Sequence, residues 1–285
     1  MATLRHIRRR IKSVRTTQKI TRVMKMVAAA KLARSQTLAQ EGKAYADELE
    51  RILREVVQGR ELEHALLASR PVERRGLLVV TSDRGLCGGY NNNVIGRALE
   101  ALKEAPRDTW SLFCVGKKGR DWFRRRGWNL AFEVVDTRGN VTPDLARHVA
   151  AALTDAYASG SVDEVRIAYT TFQSAAKYFP VVNRFLPLRP AGVGGGEVST
   201  DYIFEPDLAT VVDRLLPDYI QTTVFTALLE ASAAEHAARM MAMQNATENA
   251  KDVIHQLTLE MNKARQAAIT KELADITGAM LAVEG

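Results

Sequence analysis

The chain has 285 residues, 46% of them hydrophobic and 26% charged, a globular composition that is neither disordered nor built around membrane spans. No stretch approaches 18 consecutive apolar residues, so no transmembrane helix is expected. A net charge of +7 invites a polyanionic or acidic partner, and its distribution is more informative than its sum. Residues 1–40 carry Arg5, Arg8, Arg9, Arg10, Lys12, Arg15, Lys19, Arg22, Lys25, Lys31 and Arg34, with no acidic residue.

From Leu4 to about Gln58 there is no proline, and Gly42 is the only glycine. Apolar residues recur at three- and four-residue steps: Leu4, Ile7, Ile11 and Val14, then Met24, Ala28 and Leu32, then Leu49, Ile52, Leu53 and Val56. This spacing predicts one helix of about 55 residues, roughly 80 Å long. Such a helix cannot stand on propensity alone and needs a long partner. An Arg-rich, acid-free start also describes a mitochondrial transit peptide. The helical pattern continues past the usual cleavage zone without a small-residue processing site, so the segment is read as mature protein.

The middle of the chain has a different texture. Gly76–Thr81 is a short apolar run of the kind found in buried strands, followed by the turn Gly85, Leu86, Cys87, Gly88, Gly89 and a helical segment from about Asn91 to Ala105. Trp110–Val115 is a second strand, Lys117–Arg126 a short helix and Leu130–Val135 a third strand. Pro143–Ser159 is a helix with proline in its first turn. Glu164–Phe172 and Phe179–Leu188 are the last strands. Strands alternating with helices predict a Rossmann-like α/β domain with a mostly parallel sheet over residues 73–190. Residues 190–206, with three consecutive glycines from Gly194, read as a flexible linker.

From Asp207 to Val283 the residues are good helix formers, with Asp207 a candidate N-cap. Pro217 should kink or restart the helix near Leu216. The apolar steps run through Leu208, Val211 and Leu215, then Ala227, Ala231, Ala234, Ala238 and Met241, then Leu259, Leu273 and Ile276. This narrow, alanine-rich seam with irregular heptads predicts that residues 1–60 and 207–285 pair as a loose antiparallel coiled coil.

Little in the sequence points to catalysis. The turn containing Gly85, Gly88 and Gly89 follows a strand and precedes a helix, where phosphate loops sit, but it has neither G-x-x-x-x-G-K-[ST] nor G-x-G-x-x-G. It and Gly116–Gly119 read as tight turns needing positive φ. His6, His64, His148, His236 and His255 lie on separate segments with no metal-ligand spacing, and Asp83 and Asp136 have no evident acid/base partner. Cys87 and Cys114 read as reduced core thiols. No catalytic residue, cofactor or metal is expected. The basic N-terminal helix remains open to nucleic acid on charge alone, though residues 1–40 carry no aromatic side chain for stacking. A nucleotide-dependent enzyme using the glycine turn is the other reading left open.

Three blocks carry a family resemblance. Residues 11–32, containing TQKITRVMKMVAAAKL, and 81–91, TSDRGLCGGYN, resemble F-type ATP synthase gamma subunits. So do 235–250, EHAARMMAMQNATENA, with 262–273, NKARQAAITKEL. The match runs end to end and in order. It implies a rotating central stalk inside a ring of three alpha and three beta subunits, with an epsilon subunit and the c-subunit ring at its foot. Ion flow would turn the shaft, the shaft would drive the beta sites through their nucleotide states, and ATP would form on beta. The implied beta contacts are Arg239, Asn262, Arg265, Gln266 and Thr270, with Lys19, Arg22 and Lys25 facing acidic beta segments. The implied setting is the cytoplasmic face of a bacterial cell membrane, peripheral and reached only through the complex, with no nucleic acid. Plastid members carry an inserted cysteine pair; none occurs between Val181 and Asp207 here, so no thiol switch is expected.

Overall fold

A computed structural model describes residues 4–57, 64–137, 139–188, 204–205 and 207–284, with side chains as far as 277 except at 275. The elements in chain order are α1 (Leu4–Val57), β1 (Arg75–Val80), α2 (Tyr90–Leu102), β2 (Trp110–Val115), α3 (Lys117–Arg125), β3 (Leu130–Val134), α4 (Pro143–Ala158), β4 (Glu164–Ser174), β5 (Lys177–Leu186) and α5 (Leu208–Glu284). By packing the chain forms two compact units, Ala28–Arg239 and Met1–Val27 with Met240–Gly285. Apart from Phe204 and Glu205, the linker expected at 190–206 lies outside the described residues.

The larger unit is built on a five-stranded sheet in the order β3-β2-β1-β4-β5. The first four strands are mutually parallel, and β5 returns antiparallel to β4 at the edge. The continuous apolar run in β1 is explained by burial on both faces. Leu78 and Val80 join Phe113, Val115, Val165 and Ile167 on one face. Leu77 and Val79 join Leu112, Cys114 and Ala168 on the other, as the two-residue strand period requires. The second face is covered by Val94, Ile95, Ala98 and Leu102 of α2 and Phe123 of α3. The first is covered by Val149 and Leu153 of α4, and also by Leu53 and Val56 of α1 with Leu216, Ile220 and Val224 of α5. The long helices are therefore part of this domain's core over their inner lengths.

Within this unit α1 and α5 run antiparallel. Ser35 and Ser232 meet at 3.2 Å, and a Cβ on Gly42 would lie 3.6 Å from Leu229. Ala227, Ala231, Ala234 and Ala238 are buried, the small residues that the seam predicted. Asp207 caps α5 by accepting from the backbone N–H of Thr210 at 2.9 Å.

Two expectations are corrected. Of the kink or restart expected at Pro217, the restart does not occur, since helix α5 continues through it. Proline removes one N–H, and the carbonyl it would have bonded belongs to Asp213; both residues are exposed, so water can take the bond, while buried Leu216 and Ile220 hold the flanking turns. The glycines are also less uniform than their turns suggested. In the first turn only Gly88 has positive φ (56°), and the other left-handed position is filled by Leu86 (62°). Gly89, at φ −79°, precedes α2, and a Cβ there would press on Asn93 at 3.3 Å. Gly85 has room, its nearest neighbour being Lys118 at 4.0 Å. In the second turn Gly116 takes φ 95°, whereas Gly119 is helical and is required by close approach: a Cβ there would lie 2.8 Å from the Thr81 hydroxyl oxygen.

Candidate interaction surface

Helix α1 and the outer part of α5 pair antiparallel in the smaller unit as well. Ile7, Ile11 and Leu257 are buried between them, with Val14, Ile254, Met261 and Ala264 packed around. Thr21 and Thr247 meet hydroxyl to hydroxyl. This seam is thin, and it leaves most of both helices facing outward. Beside it runs a groove of about 730 Å³ walled by Arg8, Lys12, Arg15, Lys19 and Lys251, with Ile254, Thr258 and Met261 on its floor. No carboxylate lines it among the described residues, so its field is positive throughout.

The sequence-predicted contacts fall into three groups. On α1, Lys19 and Arg22 are exposed and Lys25 is half-buried. At roughly 100° per residue, Lys19 and Arg22 share a face with Ile20, Val23, Met26 and Val27, and Lys25 lies on its flank. Those four apolar residues are 53–57% exposed. On α5, Arg265, Gln266 and Thr270 are exposed and Asn262 is half-buried. They share one face with Ile269, Leu273 and Ile276, which are 49–60% exposed. The exposed apolar residues were not singled out from the sequence. The signal was available: Ile20, Val23 and Val27 follow helical spacing but sit about 80° or more away from the inward set Thr21 and Ala28. Large apolar side chains interleaved with polar ones on a continuous face mark a surface for another protein.

Arg239 stands apart. Its side chain is 13% exposed and ion-paired to Glu235 at 2.7 Å. It also lies 3.3 Å from His236 Nδ1 and donates to the Gly85 carbonyl at 3.5 Å. Burial pushes the Glu235 carboxyl up, against the pull of Arg239. Burial, reinforced by the charges of Arg239 and Lys31, pushes the His236 imidazole down to about 4, so the ring is neutral at pH 7. Arg239 thus ties α5 to the glycine turn. Tyr90 adds a second tie, its hydroxyl donating to the Ala231 carbonyl at 3.1 Å.

The turn itself is held from within. The Ser82 N–H donates to Asn91 Oδ1 at 2.9 Å, and Asn91 Nδ2 donates back to Ser82 Oγ at 2.8 Å and Cys87 Sγ at 3.2 Å. Asp83 accepts from the Lys117 N–H at 3.0 Å, the Asp136 N–H at 3.1 Å and the Thr137 hydroxyl at 3.0 Å. One carboxylate thereby gathers the carboxyl ends of β1, β2 and β3. Cys87 and Cys114 are free and buried, and burial raises the Cys114 thiol to about 12.

Comparison with known proteins bears on what this surface meets. A family model described as ATP synthase matches residues 3–283. Proteins named ATP synthase gamma chain resemble this chain along their whole length. The one from Pelotomaculum thermopropionicum is 43% identical over 285 residues, covering 100% of both chains. That from Moorella thermoacetica is 44% identical over 277 residues, 97% of each. Among solved structures, a chain of the central stalk and c-ring of Tetrahymena thermophila mitochondrial ATP synthase aligns with TM-score 0.60 at 25% identity, over 80% of this chain and 99% of that one. A chain of the Euglena gracilis mitochondrial ATP synthase rotor has the same fold, with TM-score 0.69 at 20% identity over 93% and 98%.

Proposed function

The chain belongs to the ATP synthase gamma-chain family, and from that membership we propose that it is the rotating central shaft of an F-type ATP synthase. In this reading it couples ion-driven rotation of a membrane c-ring to the conformational cycling of three catalytic beta subunits, and it runs in reverse during hydrolysis. Its partners are three alpha and three beta subunits, an epsilon subunit and the c-ring. It sits peripherally at the cytoplasmic face of the membrane and contributes no catalytic site. Among the described residues no helix is long and apolar enough to cross a membrane, which is compatible with attachment through the complex.

The observation that carries the proposal is the shared face of α5 on which Asn262, Arg265, Gln266 and Thr270 alternate with exposed Ile269, Leu273 and Ile276. A shaft passing three equivalent partners must make and break each contact in turn. A fully desolvated ion pair would cost several kcal/mol at every step. Half-hydrated polar groups cost about 1 kcal/mol or less, and apolar contact has no directional lock. Lys19, Arg22 and the groove around Lys12 and Arg15 supply the complementary charge for acidic beta segments. With no aromatic side chain in residues 1–40, that face suits protein carboxylates better than nucleic acid.

The test is affinity purification of the tagged chain from its native membranes. A nucleotide-binding alpha–beta hexamer should be recovered with it in stoichiometric amount, and the isolated chain should bind no nucleotide saturably. Recovery without the hexamer, or nucleotide binding by the chain alone, would overturn the reading.

A further inference from the structure

Within the Ala28–Arg239 unit, a cavity of about 160 Å³ lies where α1, α5 and the β4–β5 hairpin meet, and the shaft reading gives it no role. Its walls are of two kinds. Ala46 of α1, Ile167 of β4 and Phe185 of β5 are apolar, whereas Tyr169, Tyr219 and Thr226 bring hydroxyl groups. Its two charged side chains are already engaged, Glu50 by Arg54 at 3.1 Å and Arg184 by Glu164 at 3.5 Å. The Tyr169 hydroxyl bonds to Asn183. Thr226 Oγ1, by contrast, is buried without a hydrogen-bond partner. One turn further along α5, Glu230 stands on the same face as Thr226. Its Oε2 is also buried without a partner, and the residue makes no hydrogen bond or ion pair among the described residues. Its charge is felt at the cavity wall: burial pushes the Tyr169 phenol up to about 12, and Glu230 adds to the rise. This carboxylate stays unmatched in a chain whose net charge is +7.

A buried acceptor left unmade is costly, and two of them one turn apart beside apolar walls complement a group that is cationic at its tip and aliphatic along its stem. An anion would meet the Glu230 charge. A metal ion would be undersupplied, since no cluster of three His, Cys, Asp or Glu side chains occurs among the described residues. We propose that this cavity binds a primary alkylammonium group, which donates to Thr226 Oγ1 and Glu230 Oε2 while its stem lies against Ile167 and Phe185. A cavity of about 150 Å³ holds a molecule the size of benzene, so a butylammonium ion, which is the side chain of lysine, has room here. A free alkylamine and a lysine of a partner subunit both present that chemistry.

The full-length chain, labelled with ¹³C at its tyrosine rings, is titrated with n-butylammonium chloride while sodium chloride holds the ionic strength constant. Saturable shifts of the Tyr169 and Tyr219 resonances are expected. Glu230→Gln should weaken the midpoint at least tenfold, and Thr226→Val should weaken it less. Glu230 has no partner to lose, so the ligand-free melting curve of Glu230→Gln should not fall. Tetramethylammonium, which has the charge but no N–H donor, should not compete. A second arm assigns the source, using a carbodiimide and added butylamine on the assembled complex, read by mass spectrometry. A partner's lysine in the cavity becomes joined to Glu230; a site kept for a free amine couples Glu230 to butylamine ahead of other carboxylates. The proposal is overturned by shifts that stay linear in butylammonium or that tetramethylammonium reproduces, by a midpoint that Glu230→Gln does not move, or by a complex in which Glu230 couples to neither amine.

Discussion

Thr21 on α1 and Thr247 on α5 lie 226 positions apart in sequence, yet their hydroxyl oxygens are 2.7 Å apart. Each also lies within reach of a carbonyl of its own helix, Thr21 of Gln18 at 3.1 Å and Thr247 of Met243 at 2.7 Å, so one hydroxyl donates across the seam and the other back to its own helix. Within a seam otherwise made of small and apolar contacts, the pair is a polar mark that fixes which turn meets which. Thr21→Val or Thr247→Val alone removes the cross-seam bond, the remaining hydroxyl donating to its own helix's carbonyl, and should cost about 1 kcal/mol. The double variant loses the same bond and should cost little more than either single variant. Amide exchange across residues 14–28 reads the difference, and additive losses in the double variant would deny the pairing.

The Glu235–Arg239 pair makes a stronger demand. Arg239→Ala leaves a carboxylate buried and unpaired, a loss of about 3 kcal/mol. All three tryptophans, Trp110, Trp122 and Trp128, lie in the Ala28–Arg239 unit, so tryptophan fluorescence during urea unfolding reports that unit. Its midpoint should fall sharply in Arg239→Ala and much less in the paired variant Glu235→Gln with Arg239→Gln.

His236 gives that unit a pH dependence of known sign. Its folded pKa, about 4, is depressed from 6.5, so below pH 6.5 the unfolded chain takes up a proton that the folded chain refuses. Stability therefore falls as pH drops through that window, by up to about 3 kcal/mol. Glu235 acts with the opposite sign: its raised pKa favours the folded state at low pH and that contribution is lost as pH rises through the folded value. His236→Gln should remove the first effect and retain the second. Urea midpoints between about pH 7 and about pH 4.5 check this.

Much of the fold was legible because local chemistry and packing agree. The run Leu77–Val80 is buried on both faces and reads as such, Pro143 opens α4 with Thr142 as its cap, and Asp207 opens α5. The polar run Glu235, His236, Arg239 was not legible in the same way. A charged string on a helix looks solvated, and only the third dimension puts Gly85 and Gly139 over it. Leu86 at positive φ is equally silent in sequence, since glycines stand on either side to take the blame. On the candidate contact face the charges of Lys19 and Arg22 were readable, but exposed Ile20 and Val23 merged with the core periodicity.

Glycine positions separate steric need from habit. A Cβ on Gly116 would lie 2.0 Å from the Thr81 carbonyl oxygen, at φ 95°, so Gly116→Ala should prevent the β1–β2 loops from closing. Gly96 lies in α2 with nothing within 4 Å of such a Cβ, and Gly96→Ala should stabilise by about 0.5–1 kcal/mol. Melting curves of the two variants should move in opposite directions.

Charge reversal on the proposed contact face separates coupling from folding. Lys19→Glu with Arg22→Glu changes exposed side chains and should shift stability by no more than about 0.5 kcal/mol. Assembled into the membrane complex, the variant should hydrolyse ATP while pumping fewer ions per ATP. Ion pumping and hydrolysis measured on the same vesicles give the ratio.

The central claim is that this chain turns within its complex, and observing single complexes tests it directly. The head is fixed to a surface and a bead is attached through a cysteine introduced at exposed Arg97. Native Cys87 and Cys114 are buried and do not compete for the label. With ATP supplied, the bead should rotate stepwise in one direction and stop when ATP is removed. Sustained ATP hydrolysis with a stationary bead would contradict the account.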